Sequence, residues 1–174
     1  MAARRAINGA IAGGVAAAVW AAQQPLDKRA FGYGYDDVEL LGKAVTTGPQ
    51  WPVVGTALHI QNGMAFGAAY ASLRPLLPGP PVVSGLAAGL VEHVALWPLG
   101  RFVDRYHPAR GELTPLGTSL RSFAQATWRH ALFGLVMGVV EARLNDRSAD
   151  EPPPPVPVES NGHGSIEQAV AAAR

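Results

Sequence analysis

Long apolar runs alternate with short polar breaks along this chain. Four runs stand out, at residues 6–22, 53–73, 82–103 and 123–144. None has the charged stripe opposite an apolar stripe that marks a helix at a water-exposed surface. At about 1.5 Å per residue the first run reaches roughly 25 Å, the short limit for crossing a hydrocarbon layer. The other three exceed about 20 residues and are long enough to cross. The pattern predicts four membrane-spanning helices. A soluble helical bundle is the rival reading of the same runs.

Each run carries one repeated spacing: Gly9 and Gly13, Gly63 and Gly67, Gly85 and Gly89, Gly134 and Gly138. Glycines four apart share one helix face and let a second backbone approach closely. In lipid, where burial against water supplies no drive, such contacts hold helices together. The predicted fold class is therefore all-α, a four-helix transmembrane bundle with GxxxG packing on each helix. A second regularity links the runs. His59, Gly63, Gly67, Ala71 and Leu73 recur as His130, Gly134, Gly138, Ala142 and Leu144, at a constant offset of 71. Gly9 and Gly13 recur as Gly85 and Gly89, at an offset of 76. This register reads as two parallel helical-hairpin repeats. General glycine richness is the competing explanation.

The breaks add detail. Trp20, Trp51, Trp97 and Trp128 all fall on one side of an alternating four-pass chain, where the headgroup layer favours tryptophan. The first loop, 23–52, contains Val38, Leu41 and Val45 at helical spacing. Asp36 or Asp37 can cap its start and Gly48-Pro49 stop it, so an amphipathic interfacial helix is expected over 36–46. Residues 1–145 form the predicted bundle. Residues 146–174 are polar and proline-rich and are expected to be a disordered tail. Arg4-Arg5 before the first run also fits a cleaved signal peptide; the glycine spacing shared with the other runs speaks for a retained helix. Arg4, Arg5, Arg74, Arg143 and Arg147 on one side face Lys28, Arg29, Lys43, Arg101, Arg105, Arg110 and Arg121 on the other. That balance leaves the orientation undecided.

Composition agrees with a membrane location. Charged residues are 16% of the chain, against about a quarter in soluble domains. Mean hydropathy is only +0.11, because the polar loop and tail dilute the apolar runs. A net charge of +1 offers no broad basic surface, so no nucleic-acid partner is expected. Absence of cysteine excludes disulfides, thiolate metal sites and cysteine nucleophiles. No hydrolase elbow, zinc-protease or phosphate-loop motif occurs, so neither an enzyme nor a cofactor is predicted.

The candidate chemistry is a set of polar residues inside the apolar runs: Glu92, His93, His59, His130 and Arg129. A charge at mid-bilayer costs at least about 2.5 kcal/mol on insertion scales, so these groups must be paired, neutral or useful. Glu92 shares a helix face with Gly85 and Gly89 and points into the packed seam. Arg129 is within reach of Glu92 through its long side chain. In one reading the cluster is a proton or ion path; in the other it is a structural lock of interhelical hydrogen bonds. A metal site is disfavoured, because no two ligands have i, i+4 spacing on one helix. A calcium site from Asp36, Asp37 and Glu39 is disfavoured for want of a ligand loop.

The glycine-paired helices, the run GLAAGLVEH from Gly85 to His93, and Trp97-Pro98 resemble small, uncharacterised four-helix bacterial inner-membrane proteins of the YagU-like type. AVWAAQQPLDKR at 18–29 and YDDVELLGK at 35–43 resemble hypothetical membrane proteins of high-GC actinobacteria more closely. The resemblance implies a multi-pass protein of the cytoplasmic membrane and carries over no catalytic residues. The expected role is structural or interaction-based, with the lipid bilayer and a homodimer or membrane-protein partner around it. The alternative is a small proton- or ion-coupled transporter using Glu92 and the nearby histidines.

Overall fold

The computed structural model describes residues 2–117 and 119–145, and every regular element among them is helical. The elements are α1 (Ala2–Phe31), α2 (Asp37–Val45), α3 (Trp51–Leu73), α4 (Pro81–Leu96), α5 (Leu99–Tyr106) and α6 (Leu120–Leu144), with a 3₁₀ turn at Arg74–Leu76. The tail expected at 146–174 lies outside the described residues.

Two antiparallel hairpins, α1–α3 and α4–α6, make the frame. The glycine pairs build each one. A Cβ on Gly13 or Gly67 would collide with the backbone of Gly63 or Gly9, and one on Gly63 would sit 2.7 Å from the Gly13 carbonyl oxygen. In the second hairpin a Cβ on Gly85 would lie 2.6 Å from the Gly134 oxygen, and one on Gly138 2.7 Å from the Pro81 oxygen. The predicted spacing is thus used as expected, and the eight glycines are spent on contacts within the chain. Gly9 against Gly67 corresponds to Gly85 against Gly138 at the two offsets seen in the sequence.

The hairpins join through α1 and α6, and Asn8 Nδ2 donates to the Leu144 carbonyl at 2.8 Å where α6 ends. α3 and α4 lie at the two ends of the row α3–α1–α6–α4 and are not in extended contact. They meet near the short link between them, where the Tyr70 hydroxyl donates to the Pro81 carbonyl at 2.7 Å. Beyond that point they part and leave a cleft.

Several expectations need correction. The first helix does not stop at residue 22 but runs through Pro25 to Phe31. A proline inside a helix costs roughly 3 kcal/mol. Here the last turns are held by inward-facing Gln24 and Asp27, both buried and bonded. The third run is not one helix: it breaks at Trp97-Pro98 into α4 and α5, which meet at 54°. Pro98 has no N–H to continue the ladder and its ring obstructs the preceding turn. By length and composition one helix, α1, can cross a membrane, or two if the bent pair α4–α5 counts as a span. α3 and α6 do not reach that mark among the described residues, because His59, Gln61 and Asn62 interrupt the one and Arg129 and Glu141 the other.

The helix expected at 36–46 forms over Asp37–Val45, with Asp36 as its cap accepting from Glu39 N at 3.0 Å. It does not lie free at a surface. Gly42 and Gly55 bring α2 against the start of α3 at backbone contact. Of the two short helices it is α5 that exposes an apolar face, through Leu99, Phe102 and Tyr106.

Beside a small apolar core of Trp20, Tyr70, Phe133, Met137 and α1 alanines, aliphatic stripes are exposed and several polar groups are buried. Ile7, Ile11, Val15 and Val19 form an exposed stripe along α1. Val83, Val91 and Val94 do the same on α4. Gln24, Asp27, His59, His93, Gln125, Arg129 and Glu141 are buried.

Candidate functional site

Trp20 divides the interior into two polar clusters. It is only 7% exposed and so is a core residue rather than a headgroup anchor. Its ring packs edge-on against His59 at 5.3 Å and His130 at 4.7 Å, and its Nε1 donates to Asp37 at 2.8 Å.

The first cluster is built on Arg129, which is fully buried. Its Nε and Nη2 each donate to Asp27 at 2.6 Å, and its Nη1 donates to Asp37 at 2.7 Å. Nη2 also reaches the Tyr35 carbonyl at 3.1 Å. Two carboxylates against one guanidinium leave one negative charge in excess. Neutral donors offset it: Gln125 Nε2 and Gln23 Nε2 to Asp27 at 2.8 and 2.6 Å, and the Tyr35 hydroxyl and Trp20 indole to Asp37. Burial, and then the Asp37 carboxylate, push the Tyr35 hydroxyl well above its ordinary value, so it stays protonated and donates. Every charged atom here has a protein partner. The cluster ties α1, α2 and α6 together with its charged atoms satisfied within the chain, while the buried Gln125 Oε1 has no hydrogen-bond partner among the described residues.

The reach of Arg129 toward Glu92 anticipated from its length is not realised. Its side chain turns to the opposite face of α6, because the acids at 27 and 37 lie there. These acids were the missing part of the sequence reading. A buried arginine in an apolar run requires a carboxylate partner, and Asp27, Asp36 and Asp37 stand in the chain at the same end of the bundle.

The second cluster holds Glu92, His93 and His130. Glu92 Oε2 lies 2.9 Å from His130 Nε2, while His130 Nδ1 donates to the Ala126 carbonyl at 2.7 Å. His93 stacks 4.8 Å from His130 and its Nε2 contacts the Thr127 hydroxyl at 2.9 Å. The single Thr127 proton goes to the Phe123 carbonyl at 2.8 Å, so His93 Nε2 is the donor. That polarity is the reverse of a base activating a hydroxyl nucleophile. His59 sits apart, in the α1–α3 seam, donating Nε2–H to the Ala17 carbonyl at 3.1 Å. Thus three of the five residues singled out from sequence are brought together, His59 faces them across Trp20, and Arg129 belongs to the other cluster. Among the described residues no group of three or more His, Asp or Glu side chains is placed to hold a metal ion.

Glu92, His93, His130 and His59 line a single cavity of about 350 Å³ in the cleft between the hairpins. Phe66 and Phe133 form apolar wall, and Trp97 and Leu99 line it where α4 gives way to α5. The cavity is half open. Geometry defines the molecule as an all-helical protein of two glycine-packed hairpins around a polar-edged, aromatic cleft. Comparison with protein-family models, curated proteins and solved structures finds no match.

Proposed function

We propose that the chain is a multi-pass protein of the cytoplasmic membrane whose role is to bind a ligand in the cleft between its two hairpins. One observation carries the reading: a cavity edged by ionisable groups sits inside a bundle whose outer face is aliphatic. Water would be a poor solvent for the stripe of Ile7, Ile11, Val15 and Val19 and for the exposed Phe102 and Tyr106. Lipid is a good one, and it also accounts for backbones held together by glycine rather than by large side chains. In this reading α1, α3, α4 and α6 are the crossings, and the 54° bend after α4 turns α5 out of the row. Of the polar breaks in α3 and α6, His59, Arg129 and Glu141 are buried and Asn62 lines the cleft, as intramembrane polar groups do when they are functional, while Gln61 is exposed. α5 lies at the interface with its apolar face down.

The test is extraction. The full chain stays in the membrane pellet after an alkaline carbonate wash and leaves it only with detergent. Release into the wash overturns the membrane reading. Proton-coupled transport is a second reading, favoured by one observation: Glu92 and His130, which line the cleft, are so placed that a proton lies between them.

A further inference from the structure

We infer that the cleft takes a lipophilic organic cation, a quaternary or protonated amine or an onium with a bulky apolar body, and that its binding at Glu92 expels one proton from the Glu92–His130 pair. The inference rests on the cleft-binding reading above and specifies its ligand. Three features of the cavity lead to it.

The first is charge. The ionisable acids lining the cavity are Glu92, Asp37 and Tyr35, and no lysine or arginine lines it. Asp37 is spent on Arg129, Trp20 and Tyr35. Glu92 remains: one carboxylate oxygen pairs with His130, the other accepts no hydrogen bond among the described residues, and the side chain, which lines the cavity, is 32% exposed. An anion has no fixed positive partner here, whereas a cation has Glu92.

The second is the wall. Trp20, Trp97, Phe66 and Phe133 present aromatic rings around the space. Aromatic faces attract a cation that has lost its water, and bulky onium ions carry little water to lose. A lipophilic cation can also reach the cleft from the bilayer, through the gap between α3 and α4.

The third is proton arithmetic. His130 has two ring nitrogens and both meet acceptors: the Ala126 carbonyl at Nδ1, and Glu92 at Nε2. A carbonyl only accepts, so Nδ1 bears hydrogen. The 2.9 Å contact at Nε2 needs a second hydrogen, held on the ring or on the carboxyl. When a cation ion-pairs with the Glu92 carboxylate, that hydrogen loses its electrostatic partner. It leaves to solvent as H⁺, the ring becomes neutral with its Nδ1–H bond kept, and the site's net charge is unchanged. The other charged or titratable groups facing the pair do not replace the lost charge: His93 on α4 and His59 on α3 each spend a nitrogen as donor to a neighbour, and Arg129 is held by Asp27 and Asp37, whose excess negative charge is met by Gln125, Gln23, Trp20 and Tyr35.

Tetraphenylphosphonium and its charge-reversed counterpart tetraphenylborate, titrated into the full chain in a non-ionic detergent, test this by calorimetry in two buffers of different ionisation heat. The cation is expected to bind at least tenfold tighter than the borate near pH 7, with release approaching one proton per site. Glu92→Gln keeps an acceptor opposite His130 but loses the charge; it is expected to lose at least tenfold in affinity and all proton release. His130→Asn is expected to keep cation binding while abolishing proton release, which a merely structural role for the pair would not produce. Equal binding of both ions, or cation binding without proton release in the wild type, overturns the inference. Preferential binding of the borate, with quenching of Trp20 and Trp97, would overturn it while leaving the cleft-binding reading intact. A chain that needs no detergent fails the membrane reading instead.

Discussion

Arg129 and Asp27 stand 102 residues apart in the chain and are joined by two hydrogen bonds of 2.6 Å, with the arginine side chain wholly buried and the aspartate 1% exposed. This pair fixes the end of α1 onto α6 and thereby sets the distance between the two hairpins. Breaking such a buried pair by removing one partner leaves an uncompensated charge and costs about 3–5 kcal/mol. Asp27→Asn leaves Arg129 with Asp37 as its remaining charged partner, so it is expected to lower unfolding stability in detergent by less than that. In the double variant Asp27→Asn/Arg129→Met the two losses should be less than additive, since each change removes the other's partner. Strict additivity of the two changes would contradict a paired role.

The hairpin contact gives a steric prediction. A side chain at Gly13 meets the Gly63 carbonyl, which is backbone and cannot rotate away. Gly13→Ala is expected to cost about 1–3 kcal/mol, the range for overpacking, and Gly13→Ile more. Gly111 has nothing within 4 Å of an added Cβ. Gly111→Ala is expected to leave thermal stability in place and serves as the control.

α2 supplies a pH dependence. Burial alone would raise the Asp36 carboxyl, but hydrogen bonds from Lys28 Nζ and from the Glu39 and Val38 backbone outweigh it and hold the group below its ordinary value of 3.8. A carboxyl lowered in the folded state stabilises fully above its unfolded pKa, and that stabilisation is lost as pH falls through the lower folded value. The docking of α2 should therefore weaken only below about pH 4. Fluorescence of Trp51, which Lys43 of α2 overlies at 5.7 Å, reports it. In Asp36→Asn the acid-dependent change should disappear.

Lipid exposure can be read directly because the chain has no native cysteine. Spin-labelled Val15→Cys, on the exposed stripe of α1, is expected to be more accessible to oxygen than to a water-soluble nickel chelate in liposomes. A label on α5 at Phe102→Cys should show the intermediate ratio of an interfacial site. Equal access of both quenchers at Val15 would place that stripe in water.

How much of this was legible along the chain depends on the range of the physics involved. Helix content, the cap at Asp36 and the glycine faces are local matters, governed by neighbours within a turn or two, and the pattern of residues determined them. Which glycine face meets which was decided by the tertiary structure, since four flat faces can pair in more than one way. The break at Trp97-Pro98 was also written locally, in a proline that cannot donate, though an unbroken apolar run masked it. The partners of Arg129 and the separation of His59 from His130 were not legible. Each depends on which face of a helix meets which neighbour across some forty to a hundred residues, and rotating α6 by one residue would exchange Arg129 for His130. Only the tertiary structure decided that Arg129 turns to Asp27 and Asp37 while His130 turns to Glu92 and the cleft. The reason is electrostatic: a buried guanidinium must find carboxylates, and the packing that provides two of them leaves the histidine facing Glu92.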